Sequence, residues 1–406
     1  MTGSCVFAQS GGPTAVINSS AYGVIKTALD AGCITRVYGA ANGIIGVLGG
    51  KLYDMAAEDP YELSLLAHTP SSELGSCRYK LKPYEQDDRD YIKILDVFKR
   101  RDVRYFFYNG GNDSMDTCAK ISRYFNSVGY ECRVIGIPKT IDNDLCGTDH
   151  SPGYGSAAKY IATSVAEVYK DNYVYDTGSV TIVETMGRHA GWLAGSAALA
   201  ELSGAAPDLI YLPEVAFDMD RFIYDVKSVY NDRQKCLVAV SEGICYSDGS
   251  FVSEADVSAT DGFKHAQLGG LAAVLSGIVK QRIGIKVRGI ELSLLQRCGA
   301  HLASKTDVEE AFGAGVFAVE RALDGASGKM VSLRRAPGRY GCEFALEPLE
   351  TAANNEKKVP REWINADGNY VTREFLDYAL PLIQGECARV TENGLPRFAR
   401  LKKVLV

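Results

Sequence analysis

The chain has 406 residues, too many for one ordinary hydrophobic core, so two domains are expected. Apolar residues make up 46% and charged residues 23%, as in ordinary globular proteins, and the net charge of −6 argues against a nucleic-acid partner, whose phosphates reward basic faces. Eleven cysteines without CxxC spacing and five histidines without metal-ligand spacing point to neither a disulfide framework nor a zinc site.

The first ten residues lack a basic, apolar leader, and no later run approaches the ~20 apolar residues of a membrane span. A reducing, cytoplasmic setting without membrane contact is expected. The first β-type run, Cys5–Gln9, ends in Ser10-Gly11-Gly12-Pro13-Thr14 and passes into helical periodicity over Thr14–Ala31. Arg36–Gly39 reads as a strand and Asp88–Arg101 as a helix. Tyr105–Tyr108 ends in Asn109-Gly110-Gly111-Asn112-Asp113-Ser114 and enters another helix, and Arg133–Ile137 ends in Pro138-Lys139-Thr140-Ile141-Asp142-Asn143-Asp144. A helix follows over Ser156–Lys170, with Ser156 as its expected N-cap, then strands at Val180–Glu184, Leu209–Leu212 and Cys236–Val240. The polar stretch Glu350–Arg361 reads as a surface connection. Such alternation specifies an α/β fold with mainly parallel sheets flanked by helices, in which ligands gather at the carboxyl ends of strands.

Three of those strand ends carry chemistry. Glycines at Gly11-Gly12 and Gly110-Gly111 let a phosphate approach the backbone and a helix N-terminus, although tight turns alone also require glycine. Neither matches the Walker or dinucleotide patterns. In the third loop Thr140, Asp142 and Asp144 alternate, so an extended chain would bring them to one side, where two carboxylates suit a base, a metal ligand, or both. Lys139 adds a compact cation. The same residues also suit an Asx-type turn, with Asp142 and Asn143 capping backbone N–H groups. Arg188, in Met186-Gly187-Arg188, is able to clamp a phosphate or to form a surface ion pair, and the same two readings hold for Arg78, Arg288, Arg297 and Lys80. Glu242 ends a strand, where it suits sugar hydroxyls or caps the next turn.

In order and spacing, Ser10-Gly-Gly-Pro13, Gly75-Ser-Cys-Arg78, Gly110-Gly-Asn-Asp-Ser114, Pro138–Asp144, Met186-Gly-Arg188, Glu242 and Gln296-Arg297 resemble the phosphofructokinase family over about residues 5 to 320. The likeness is strongest to its pyrophosphate-dependent members, because Asp113 and Lys139 stand where ATP-using relatives typically carry glycine. A carboxylate at Asp113 would repel the α-phosphate of a nucleotide, a group pyrophosphate lacks. The resemblance implies reversible, Mg²⁺-dependent transfer of a phosphoryl group from pyrophosphate to the C1 hydroxyl of fructose 6-phosphate, as in glycolysis and gluconeogenesis. It implies that Asp142 is the general base, with Lys139, Asp113 and Arg188 also in the catalytic set. Donor contacts would fall to Gly12, Arg78, Lys80, Gly111 and Ser114, and the metal side to Asn112. Sugar-phosphate contacts would fall to Thr140, Ile141, Asp144, Met186, Gly187, Glu242, Arg288 and Arg297, with Arg188 helping. Residues 1–150 plus 299–345 would form the donor domain and 151–298 plus 346–406 the sugar-phosphate domain, with the active site in the cleft between them.

The departures from the family pattern are Asn112 for an aspartate, Leu294 for a histidine or tyrosine, and Ser179 for an arginine that reaches a neighbouring subunit. A homodimer is the expectation that the resemblance carries. Tyr22 and Lys26 replace two effector-binding arginines, so no allosteric control by nucleotide is expected. Three alternatives remain at this level: ATP as donor, sedoheptulose 7-phosphate as acceptor, or a non-catalytic sugar-phosphate-binding subunit.

Overall fold

The computed structural model describes residues 1–253, 268–353 and 355–406. Its first sheet has seven strands: β1 (Gly3–Gln9), β2 (Ile34–Ala40), β3 (Leu52–Asp54), β4 (Val103–Gly110), β5 (Arg133–Pro138), β10 (Lys329–Arg335) and β11 (Cys342–Pro348). They lie in the order β11-β10-β5-β4-β1-β2-β3. The inner pairs are parallel, and antiparallel β3 and β11 close the two edges. Both faces are covered, which is why these strands read as continuous apolar runs. Along β1, Cys5 and Phe7 enter one core with Tyr105, Phe107, Ile135 and Ile137, while Val6 and Ala8 enter the opposite core with Phe106, Tyr108 and Val134. This is the two-residue period of a pleated strand packed on both sides.

The second sheet has four parallel strands, β6 (Ser179–Thr185), β7 (Leu209–Tyr211), β8 (Lys235–Ser241) and β9 (Val287–Glu291), in the order β7-β8-β6-β9. The helix Tyr154–Asn172 carries the chain from the first sheet to the second. Its expected cap at Ser156 is not the one found. Gly153 occupies the N-cap position without a side-chain bond, and Asp307, from the helix Lys305–Leu323, accepts from the N–H groups of Gly153 (2.9 Å) and Ser156 (2.8 Å). One helix therefore supplies the cap of another, and Ser156 instead accepts from the Ser304 N–H.

The chain after residue 345 does not stay with one sheet. β11 ends at Pro348, and Leu349 and Ala352 join a core of the first sheet. Val359, Ile364, Phe375 and Leu382 join the core that covers the second. The last residues then return: Ala399 packs under the first sheet, Leu405 bridges Tyr53, and the Val406 N–H reaches the Leu52 carbonyl. Residues 346–406 are thus divided between the two sheets, because their apolar side chains fill gaps on both. All eleven cysteines are free.

Candidate functional site

The carboxyl ends of β1, β4, β5, β6 and β8 face a cleft of about 560 Å³. Gly11, Gly12, Gly111–Ser114, Arg78 and Lys80 line its first-sheet side, and Met186, Arg188, Glu242 and Arg297 line the other. The loop Lys139–Asp142 and Asp144 lie between them. At the β1 turn the backbone of Gly11 favours glycine, and Gly12 lies close under Arg297. Gly11 has φ +74°, and a Cβ at Gly12 would lie 3.1 Å from an Arg297 guanidinium nitrogen.

The β5 loop is not extended. Asn143 adopts φ +54° and turns into the protein, where it is fully buried. Its Nδ2 donates to the Tyr378 hydroxyl (2.8 Å), and its Oδ1 accepts from the Ser151 N–H (3.0 Å). Asp142 and Asp144, on either side of Asn143, still reach the cleft. Thr140 Oγ1 accepts from the Asp142 N–H (3.1 Å), and the Lys357 N–H donates to the Asp144 carbonyl (2.7 Å). Lys139 is buried at 4% exposure, its ammonium donating to the Gly12 carbonyl at 2.6 Å and so tying the β5 loop to the β1 turn.

Burial dominates the electrostatics here. It raises the Asp142 carboxyl above its ordinary value, against the opposing pull of Lys139, Arg188, Arg297 and Arg78. Burial, with the Asp142 charge adding to it, pushes Asp144 up to about 7 and Glu242 up to about 7. Burial also lowers Lys139 to about 8. Acids held above and a lysine held below their solution values mark a site arranged for proton transfer and anion binding.

Around this centre Gln296 Oε1 accepts from the Met186 N–H (3.2 Å), and Glu242 accepts from the Gly187 N–H (3.4 Å). Gly187, at φ +133°, thus sits behind the lining rather than in it. Lys80 pairs with Asp113 at 3.1 Å. Asn112 Nδ2 donates to Asp144 (3.0 Å), while its Oδ1 is buried with no partner among the described residues. Arg288, like Gly187, is an expected residue that does not line the cleft. It stands on edge strand β9 with its side chain 59% exposed, paired to Asp171 at 3.2 Å, outside the lining of this cleft. Tyr22 packs on Phe312 and Lys26 pairs with Asp30 on one helix. His189, Asn355 and Glu356 also line the cleft, and no sequence motif singled them out.

A model of the phosphofructokinase family matches residues 4–321. The chain is 46% identical to a pyrophosphate–fructose 6-phosphate 1-phosphotransferase of Halomonas elongata, over 98% of this chain and 96% of that one. It is 46% identical to the protein of the same name from Xanthomonas campestris pv. campestris, over 100% and 97%. The crystal structure of a pyrophosphate-dependent phosphofructokinase from Marinobacter aquaeolei superposes with a TM-score of 0.90 at 41% identity, covering 100% of this chain and 97% of that one. With likeness of this extent in both sequence and fold, the chain belongs to the phosphofructokinase family.

Proposed function

We propose that the protein transfers a phosphoryl group reversibly between pyrophosphate and the C1 hydroxyl of fructose 6-phosphate. The observation that carries this reading is that Lys139 and Asp113 line one cleft with Asp142. Asp142 takes the proton of the C1 hydroxyl as the hydroxyl oxygen bonds to phosphorus, and the bridging P–O bond of pyrophosphate breaks to release phosphate. The raised carboxyl of Asp142 makes it a stronger base than an aspartate in water. Lys139 donates to the oxygens on which charge grows, the main device of phosphoryl transfer. Arg78, Gly12, Gly111, Ser114 and Lys80 hold the donor. Arg188, Arg297, Glu242, Met186 and Thr140 hold the sugar phosphate, with Gln296 fixing Met186 from behind. Asp113 narrows the donor side and repels a nucleotide's α-phosphate.

The unpartnered Asn112 Oδ1 beside the Asp144 carboxylate gives an all-oxygen donor set, which suits a hard cation such as Mg²⁺. When bound there, Mg²⁺ neutralises charge on the pyrophosphate oxygens. A homodimer accords with the apolar Leu294 and Leu295, which are 54% and 58% exposed near β9. Arg288 beside them would then contact sugar phosphate only across that interface. Free thiols throughout accord with a cytoplasmic setting. No described helix is long and apolar enough to cross a membrane.

The test is the initial rate with fructose 6-phosphate and Mg²⁺, with pyrophosphate and ATP compared in parallel. Turnover with pyrophosphate and little with ATP is expected, and efficient use of ATP alone would overturn the donor assignment.

A further inference from the structure

Asn355 and Glu356, beyond the residues that the family model matches, form part of the cleft wall. With Lys357 they are anchored where the β5 loop ends and on the chain that follows it. Glu356 and Leu145 form an antiparallel bridge, and the Lys357 N–H donates to the Asp144 carbonyl at 2.7 Å. The Lys357 ammonium is held by the carbonyls of Asp149 (2.6 Å) and Thr148 (3.2 Å), above the Trp192 ring. With its neighbour fixed this way, Glu356 cannot drift from the wall, yet its side chain is exposed. No cationic side chain pairs with it among the described residues.

Glu356 therefore brings an uncompensated negative charge to the side of the cleft that holds Asp144 and Asn112. Asn112 itself is neutral, and its buried Oδ1 has no donor. The two carboxylates repel each other unless a cation joins them, and the Asn112 Oδ1 lacks a partner beside them. Mg²⁺ typically takes one or two carboxylates, keeps several waters and completes its shell with substrate phosphates. We propose that Glu356 is a metal-side residue of this enzyme, holding the divalent cation with Asp144, directly or through a bound water, where Asn112 brings no charge. This rests on the phosphoryl-transfer reading above, but not on which donor is used.

The experiment titrates wild type and Glu356→Gln with Mn²⁺, with and without methylenediphosphonate, and reads free Mn²⁺ by electron paramagnetic resonance. Mn²⁺ affinity is expected to fall about tenfold or more in Glu356→Gln, with the Mg²⁺ needed for half-maximal rate rising in parallel. Calorimetric affinity for fructose 6-phosphate should stay within about twofold in the same variant. Adding Asn112→Asp to Glu356→Gln should recover most of the Mn²⁺ affinity, because the new carboxylate lies against Asp144. A folded Glu356→Gln protein that binds Mn²⁺ as wild type does would overturn the proposal. A wild type that prefers ATP would instead count against the donor assignment alone, since the titration without methylenediphosphonate still reads the metal.

Discussion

Replacing Lys139 with methionine separates its charge from its volume. Methionine is unbranched and fills the same channel, so the β1 turn and the β5 loop keep their packing. The ammonium lies at 4% exposure, 2.6 Å from the Gly12 carbonyl, where a desolvated donor acts strongly on a transferring phosphoryl group. Losing one such donor typically lowers kcat by ~10²–10³-fold, or about 2.7–4 kcal/mol of transition-state stabilisation. The sugar-phosphate side, with Arg188, Arg297 and Glu242, is untouched, so KM for fructose 6-phosphate should hardly move. Lys139 is also the foremost charge opposing the upward push of burial on Asp142. Its removal should therefore shift the acid limb of the rate profile to higher pH. Steady-state kinetics in both directions from pH 5 to 10, with calorimetry to confirm sugar-phosphate binding, measures each part. If kcat stayed within about threefold and the loss fell wholly on KM for pyrophosphate, Lys139 would be a uniform binding residue and the transition-state role would fail.

The wild-type kcat/KM profile should be bell-shaped. Asp142 must be ionised to accept the proton, so activity falls as pH drops through its raised value, in a limb shared with Asp144 at about 7. Lys139 must be protonated, so activity falls as pH rises through about 8, and in kcat that limb should move upward because bound pyrophosphate favours the ammonium. Asp113→Gly should raise kcat/KM for ATP relative to pyrophosphate by about tenfold or more, as a like-charge clash is removed. Its cost in Tm should be small, since the half-exposed Lys80 pair is worth at most about 1 kcal/mol. Tyr378→Phe removes the Asn143 acceptor and the donor to the Asp149 carbonyl, and should destabilise the fold by about 1–3 kcal/mol while lowering kcat. Denaturant unfolding and steady-state rates check both effects, and an unchanged midpoint would show that the loop needs no brace.

Several of the parallel strands were legible because they are buried on both faces and end in turn residues. Cys5–Gln9, Tyr105–Tyr108 and Arg133–Ile137 all fall inside observed strands. Of the edge strands, Leu209–Leu212 was read and overlaps β7, whereas β3, β9 and β11 were not. β9 reads Val-Arg-Gly-Ile-Glu and is mostly open to solvent, so it offers no apolar run to detect. The cap at Ser156 failed for a different reason: Asp307 lies about 150 residues away, and no local pattern reveals a cap that arrives from another helix. Among the expected site residues, those on strand-end loops line one cleft, and their spacing carried the family resemblance. Arg288 was assigned through the family resemblance, but its place on an edge strand leaves its side chain exposed and paired to Asp171.

Glu356, Lys357 and Tyr378 gave no signal because their roles depend on where the chain returns after β11. That return answers a physical problem the β5 loop poses. Two neighbouring like charges, a left-handed asparagine and a desolvated lysine are each costly, and a loop of this kind persists only if its surroundings fix it. Tyr378 satisfies Asn143, Lys357 holds the carbonyl of the second acid and those of Thr148 and Asp149 after it, and the Lys357 ammonium lies over the Trp192 ring. Each contact acts on backbone or on a buried amide, leaving the Asp142 and Asp144 carboxylates free to face the cleft. The β5 loop therefore owes its chemistry to its own residues and its shape to a segment more than 200 residues downstream.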